Sequence, residues 1–214
     1  MSEKSKKKIQ CKLILVGDSG VGKTCIINRY LKRSTLDVSA TLSTSWYTKY
    51  EKIKNYELAF QIWDTVGQEQ YRSLNTLFFK DAHICLLVFD ITRKESFNNI
   101  KNYWYESIIT NGPEGIVFGI AGNKNDLSEY EKVDRNEVKE FCEEINAVFK
   151  YTSAKNNICI DELFKELGYK FLHSEFMKEM SISLSSISDS KDYKFLIDEK
   201  NKKKEIKMEK IGCC

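Results

Sequence analysis

The chain of 214 residues is poor in several things that would define other classes of protein. It has one proline, Pro113, inside the loop signal Asn111-Gly112-Pro113-Glu114-Gly115, and none inside an apolar run. It has two histidines, His83 and His173, far apart in sequence, which argues against a histidine metal cluster or histidine-based catalysis. Its seven cysteines are odd in number and scattered (Cys11, Cys25, Cys85, Cys142, Cys159), apart from the adjacent pair Cys213-Cys214. That is no disulfide framework, and a reducing, cytosolic setting is expected. No apolar run reaches the ~18 residues of a membrane span. The Lys-rich first residues lack the apolar core of a signal peptide. There is no internal repeat. Net charge is only +3, from 34 basic and 31 acidic residues, too balanced for a surface that binds nucleic acid.

What is present is a soluble, globular composition, 42% hydrophobic and 30% charged, with length for one domain and some to spare. The near-neutral charge hides an asymmetry. Residues 1–8 carry four Lys and one Glu, residues 9–180 carry 22 basic and 24 acidic side chains, and residues 181–214 carry eight Lys and six acids. Apolar runs recur at Leu13–Val16, Ala59–Trp63, Ile84–Phe89 and Ile116–Ala121, with a weaker one at Ala147–Phe149. Most are apolar on both faces, as buried parallel strands are. Residues 44–53 and 56–63, joined by Lys54-Asn55, read as an antiparallel hairpin. Helix-period segments lie between the runs: Ile26, Ile27, Tyr30 and Leu31; Phe97, Ile100 and Trp104; Val138, Phe141, Cys142 and Ile145; and Ile160, Leu163, Phe164, Leu167 and Phe171. Trp104 reads as core. The expected fold is α/β: a six-stranded, mostly parallel sheet with one antiparallel hairpin strand and helices on both faces. Periodicity fades after Met180. The alternation in Ser181–Ser188 resembles a strand, but without a partner it reads as tail. Three regions are expected: a flexible basic N-terminus at 1–9, one domain at 10–177, and a flexible Ser/Lys-rich tail at 178–214.

Four motifs carry chemistry. Gly17-Asp18-Ser19-Gly20-Val21-Gly22-Lys23-Thr24 fits G-x-x-x-x-G-K-[ST] between a strand and a helix, the context that makes a phosphate-binding P-loop. Its glycines let backbone N–H groups curl around phosphate, and the helix N-terminus adds positive potential. Lys23 is placed for the β- and γ-phosphates and Thr24 for Mg²⁺; Cys25 follows on the same helix. Asp64-Thr65-Val66-Gly67-Gln68 ends the third strand. Asp64 there is suited to hold Mg²⁺ through a water, the Gly67 N–H to approach a γ-phosphate, and Gln68 to orient an attacking water. Asn123-Lys124-Asn125-Asp126 ends another strand. The Asp126 carboxylate matches the N1–H and N2–H₂ donors of guanine, and adenine would leave it unpaired. The Lys124 stem is placed to cover the base. Ser153-Ala154-Lys155 offers a backbone N–H to guanine O6. A P-loop kinase or ATPase is one rival reading, the lesser of two, and the Asn123–Asp126 motif speaks against it.

In this order on strand ends, the motifs make the chain resemble the Ras superfamily of small GTPases over residues 10–175. It is most similar to the Rab branch, through Phe60-Gln61-Ile62-Trp63, Gln70-Tyr71-Arg72-Ser73-Leu74, Phe78-Phe79-Lys80-Asp81-Ala82 and Leu87-Val88-Phe89-Asp90-Ile91-Thr92. The resemblance implies a GTP/GDP switch that regulates vesicle transport, with Mg²⁺ as cofactor. Thr41 would be the switch I threonine, completing the Mg²⁺ shell and touching the γ-phosphate. Trp46, Trp63 and Phe78 would be the aromatic triad that meets effectors. Cys213 and Cys214 would be geranylgeranylated. The implied partners are an exchange factor, an activating protein, effectors, a prenyl-binding escort or GDP-dissociation inhibitor, and the cytoplasmic face of internal membranes; the protein itself would be a monomer. Six Lys against two Glu in 200–210 would add attraction to anionic headgroups, on the order of 1 kcal/mol per Lys near the surface. Two lipids, unlike one, give stable anchoring.

The chain also departs from the family pattern. Switch I reads Thr41-Leu42-Ser43 in place of Thr-Ile-Gly, Trp46 replaces a Phe, and Val66 replaces an Ala. The stretch from Lys23 to Thr41 is one residue shorter than usual, and Ser34-Thr35-Leu36 lacks the aromatic that flanks guanine in relatives. These departures motivate a second alternative, a nucleotide-dependent scaffold with negligible hydrolysis. No arginine is placed to act in cis, so slow turnover that a partner accelerates is expected.

Overall fold

A computed structural model describes residues 7–33, 45–65 and 78–185; at 176 and 178–185 it describes backbone alone. The chain divides into two compact units, residues 1–173 and 174–214. In the first unit, six strands form one sheet: β1 (Lys7–Val16), β2 (Ser45–Ile53), β3 (Tyr56–Asp64), β4 (Ile84–Asp90), β5 (Val117–Asn123) and β6 (Val148–Tyr151). Their spatial order is β2-β3-β1-β4-β5-β6. β2 pairs antiparallel with β3, with Ile53 opposite Tyr56 across Lys54-Asn55, and the other neighbours are parallel. The expected mostly parallel sheet with one antiparallel hairpin strand is what forms.

The doubly apolar runs are explained by two cores, one on each face of the sheet. On one face Cys11, Leu13 and Leu15 of β1 and Ile84, Leu86 and Val88 of β4 pack with α1 (Lys23–Tyr30) and the final helix. On the other, Ile14, Val16, Cys85, Leu87 and Phe89 meet the helical segment 94–111 and the helix at 135–144. Alternate residues of one strand therefore serve opposite layers, and no position in Leu13–Val16 or Ile84–Phe89 is polar.

The segment 94–111 differs from a plain α-helix. An α-helical turn α2 (Lys94–Asn99) passes into a π-helical turn at Ile100–Tyr105 and then into α3 (Glu106–Asn111). The single 3.6-residue period read through Phe97, Ile100 and Trp104 does not show this widening. After β5 comes a 3₁₀ segment, Asn125–Tyr130, then α4 (Arg135–Glu144), capped by the Asp134 carboxylate, which accepts from the Asn136 N–H at 2.7 Å.

The last helix, α5, spans Ile160–Ser185 in its backbone. Its apolar stripe Ile160, Leu163, Phe164, Leu167 and Phe171 is buried, and Phe164 stacks on Tyr30 at 3.7 Å. The helical backbone runs through residues 181–185, so this part of the Ser-rich stretch is neither strand nor irregular tail. A helix already nucleated adds residues at little cost, which apolar periodicity does not report. The first compact unit ends at His173, shortly before the expected boundary at 177. Residues 186–214, with Cys213 and Cys214, lie outside the described residues.

Candidate functional site

The site lies where β1, β3, β4 and β5 end, with β1 between β3 and β4, the place where α/β sheets hold ligands. The 17–22 loop leaves β1 and caps α1. Gly17 has φ +145°, and a Cβ there would fall 2.1 Å from the Val88 carbonyl oxygen. Gly22 has φ +100°, and a Cβ would fall 2.3 Å from Asn123 Nδ2. Both positions exclude a side chain by contact as well as by conformation.

Lys23 folds back over this loop. Its Nζ donates to the Gly17 carbonyl at 2.8 Å and the Asp18 carbonyl at 2.9 Å, and the residue is 6% exposed. Burial lowers its pKa from 10.5 to about 8, against the attraction of Asp64 and Asp18. Thr24 donates its hydroxyl proton to Asp64 Oδ2 at 2.7 Å. Burial also raises the pKa of the Asp64 carboxyl above its ordinary value, outweighing the Thr24 bond and the Lys23 charge. Asp64 Oδ1 is buried and has no hydrogen-bond partner among the described residues. Among the described residues, this end of the site thus buries a cation and a carboxylate that are compensated only in part. The Cys25 thiol is pushed up by burial, so it is a neutral neighbour and no nucleophile.

The other end is closed on itself. Asn123, 2% exposed, donates to the Val21 carbonyl at 2.8 Å, and its Oδ1 accepts from Thr152 Oγ1 and the Ala154 N–H at 3.3 Å each. It ties the phosphate loop to the 153–155 loop. Asp126 Oδ1 accepts from Ser153 Oγ at 2.5 Å. Arg29 of α1 donates to the carbonyls of Ala154 and Lys155, at 2.7 and 2.8 Å. Lys124, with φ +66°, places Nζ 2.7 Å from Asp90 Oδ2. Burial alone would raise the Asp90 pKa. The hydrogen bonds from Lys124 and Thr92 outweigh it and hold the carboxyl below its ordinary value.

The aromatic triad is contiguous. Trp46 of β2 lies directly opposite Trp63 of β3, and the Trp63 and Phe78 rings are 5.9 Å apart. Trp46 is 62% exposed; Tyr50, on the same face of β2, is 64% exposed and extends the patch. Thr41, Gly67 and Gln68 lie outside the described residues, as do Leu42, Ser43, Val66 and the 34–36 stretch.

A profile of the Ras family matches residues 12–173. The chain is 39% identical to the mouse "Ras-related protein Rab-22A" over 160 residues, 74% of this chain and 82% of that protein. It is 40% identical to the mouse "Ras-related protein Rab-31" over the same shares. Similarity to Dictyostelium discoideum "Ras-related protein RabJ" is 36% over 179 residues, 80% of this chain and 68% of that one. The chain belongs to the Rab branch of the Ras family. It is a small GTPase, a Rab-type switch in vesicle trafficking that binds GTP and GDP and hydrolyses GTP. Neither the kinase or ATPase reading nor the non-hydrolysing scaffold fits that membership.

Within this Rab fold, four polar contributors escaped the sequence reading. Arg29, Asp90, Arg93 and Asn99 bond to site loops across long stretches of sequence. Arg29, Arg93 and Asn99 stand in no motif, so no local signal points to them; Asp90 stands in the Leu87–Thr92 segment, but nothing local announces its partner Lys124. Trp104 is buried, as its helical period indicates, and its indole N–H also reaches Asp18.

Proposed function

We propose that residues 18–25 cradle the phosphates of GTP or GDP, that Asn123, Lys124 and Asp126 with Ser153, Ala154 and Lys155 form the guanine pocket, and that Mg²⁺ sits at Thr24, Asp64 and Thr41. The observation that carries this reading is the uncompensated burial at the phosphate end: Lys23 with a lowered pKa beside Asp64 with an unpartnered oxygen. A hydroxyl and a carboxylate in contact are hard oxygen donors and fit Mg²⁺. Among the described residues no three His, Cys, Asp or Glu converge. When bound, the ion neutralises charge on the β- and γ-phosphates.

Hydrolysis then proceeds by positioning. Gln68 orients a water, whose oxygen attacks the γ-phosphorus. The bond to the β–γ bridging oxygen breaks, GDP leaves with that oxygen, and the water oxygen stays on the γ-phosphorus as inorganic phosphate while its proton passes to phosphate oxygen or solvent. Lys23 and the loop N–H groups stabilise charge on the leaving group. Thr41 and Gly67 hold two loops while the γ-phosphate is present and release them afterwards. At the base end, each Asp126 oxygen keeps acceptor capacity beside the Ser153 bond, enough for the two guanine donors.

Further parts of the reading concern membranes and partners. Among the described residues no helix is long and apolar enough to cross a membrane. Geranylgeranyl groups on Cys213 and Cys214, backed by the Lys-rich 200–210 stretch, anchor a monomer to the cytoplasmic face of an internal membrane. An exchange factor loads it, an activating protein supplies the missing arginine, effectors bind at Trp46, Trp63 and Phe78, and a prenyl-binding escort or GDP-dissociation inhibitor carries it through cytosol. The test is competition against fluorescent mant-GDP. GTP must displace it and ATP must not; equal displacement by ATP sinks the base-pocket assignment. Mass spectrometry of the native protein tests the lipids, and an unmodified C-terminus in the membrane fraction overturns that part.

A further inference from the structure

An acidic side chain in a loop built for phosphates is an electrostatic liability, and Asp18 is the second residue of that loop. Both of its carboxylate oxygens are engaged. Trp104 Nε1 donates to Oδ1 at 3.0 Å, and Asn99 Nδ2 donates to Oδ2 at 2.7 Å. The next residue is held from the same segment, where Arg93 Nη2 donates to the Ser19 carbonyl at 2.9 Å. Arg93 is steadied in turn by Asp90, whose Oδ2 lies 3.6 Å from its Nε.

Asn99 and Trp104 are five residues apart. In an α-helix their side chains would point roughly 140° away from one another. The π-helical turn Ile100–Tyr105, which Asn99 caps and which contains Trp104, has i→i+5 geometry and brings such a pair onto one face. The widened turn therefore has a specific consequence: it lets one carboxylate be gripped from two sides. Trp104 is 1% exposed and anchored in the core beneath, so the grip is rigid.

We propose that Arg93, Asn99 and Trp104 form a brace on the phosphate loop and act as positioning residues for nucleotide retention. The brace turns the Asp18 carboxylate away from the phosphates and holds the carbonyls of residues 17–19 occupied, together with Lys23. The loop N–H groups are thereby ordered before nucleotide arrives, which lowers the cost of binding. This rests on the reading of residues 18–25 as the phosphate cradle.

The experiment measures mant-GDP release from the full-length protein. Trp104→Phe keeps the packing and removes the N–H, and Asn99→Ala changes a half-buried side chain. Each is expected to speed release roughly tenfold, the loss of one hydrogen bond to a charged group. Asp18→Ala gives a comparable or larger increase. The discriminating readout is the double-mutant cycle. In the Asp18→Ala background, Trp104→Phe and Asn99→Ala should each add less than about twofold, because their common partner is gone. Unchanged release in both single variants overturns the brace. So does an effect of equal size with and without Asp18, since that would be a general weakening of the fold. If the wild-type protein binds no mant-GDP, the phosphate-cradle reading fails and the brace with it; binding by wild type with additive variants sinks the brace alone.

Discussion

The two ends of the nucleotide site handle buried charge in opposite ways. At the phosphate end, burial lowers the pKa of Lys23 to about 8 and raises that of Asp64, and one Asp64 oxygen has no partner among the described residues. At the base end, Asp90 is just as buried, yet the bonds from Lys124 and Thr92 hold its carboxyl below the ordinary value. Charge that the protein compensates is scaffold. Charge left uncompensated is a place for a ligand that brings the missing partner. Asn123 joins the two ends, so the compensated half supports the uncompensated half.

The largest effect should come from breaking the phosphate end. Lys23→Ala is expected to weaken mant-GDP binding roughly a hundredfold or more, because it leaves phosphate charge unpaired in a dry site. Thermal unfolding without nucleotide should hardly fall, since the buried ammonium was a cost to the fold; a large drop there would break the comparison. Next, Asp64→Ala should weaken Mg²⁺ by about 10–100-fold, measured by Mg²⁺ titration of nucleotide retention. Stability without metal should be maintained.

The base end should respond in reverse. Lys124→Ala leaves the Asp90 carboxylate, 2% exposed, without its close cation and with only the longer 3.6 Å contact to Arg93. Because Lys124 itself is about a third exposed, the expected loss is about 1–3 kcal/mol of stability, read by denaturant unfolding without nucleotide. Asp90→Asn in that background should recover part of it. The smallest effect is a pH dependence. The folded pKa of Asp90 is depressed, so its stabilisation is fully present above the unfolded value of ~3.9 and is lost as pH falls through the folded value. The acid limb of a stability profile should therefore flatten in Asp90→Asn. An unchanged limb would show that Asp90 is not compensated as described.

Much of this molecule was readable in advance. The doubly apolar runs at Leu13–Val16 and Ile84–Phe89 identify strands buried on both faces, and Lys54-Asn55 marks the hairpin turn. The glycines that must be glycine, Gly17 and Gly22, stand in a motif whose spacing announces them. The helix through residues 181–185 was not readable, because helical propagation there follows from the preceding turns and leaves no apolar stripe. The π turn was not readable either. Phe97, Ile100 and Trp104 fit an ordinary helical period, and only the backbone shows the extra width.

The sequence by itself determined the family, the order of the four motifs on strand ends and the chemistry each can offer, because those signals are local. A glycine, a lysine and a hydroxyl at fixed spacing behave alike wherever a strand meets a helix. Only the tertiary structure decided which groups hold the motifs in place. Arg29 reaches residues 154 and 155, Asn123 reaches Val21, and Trp104 reaches Asp18, across 125, 126, 102 and 86 positions respectively. Contacts at that separation obey no period and carry no spacing. They exist because the sheet brings the ends of its strands together on one edge, and buried polar groups at that edge must find partners.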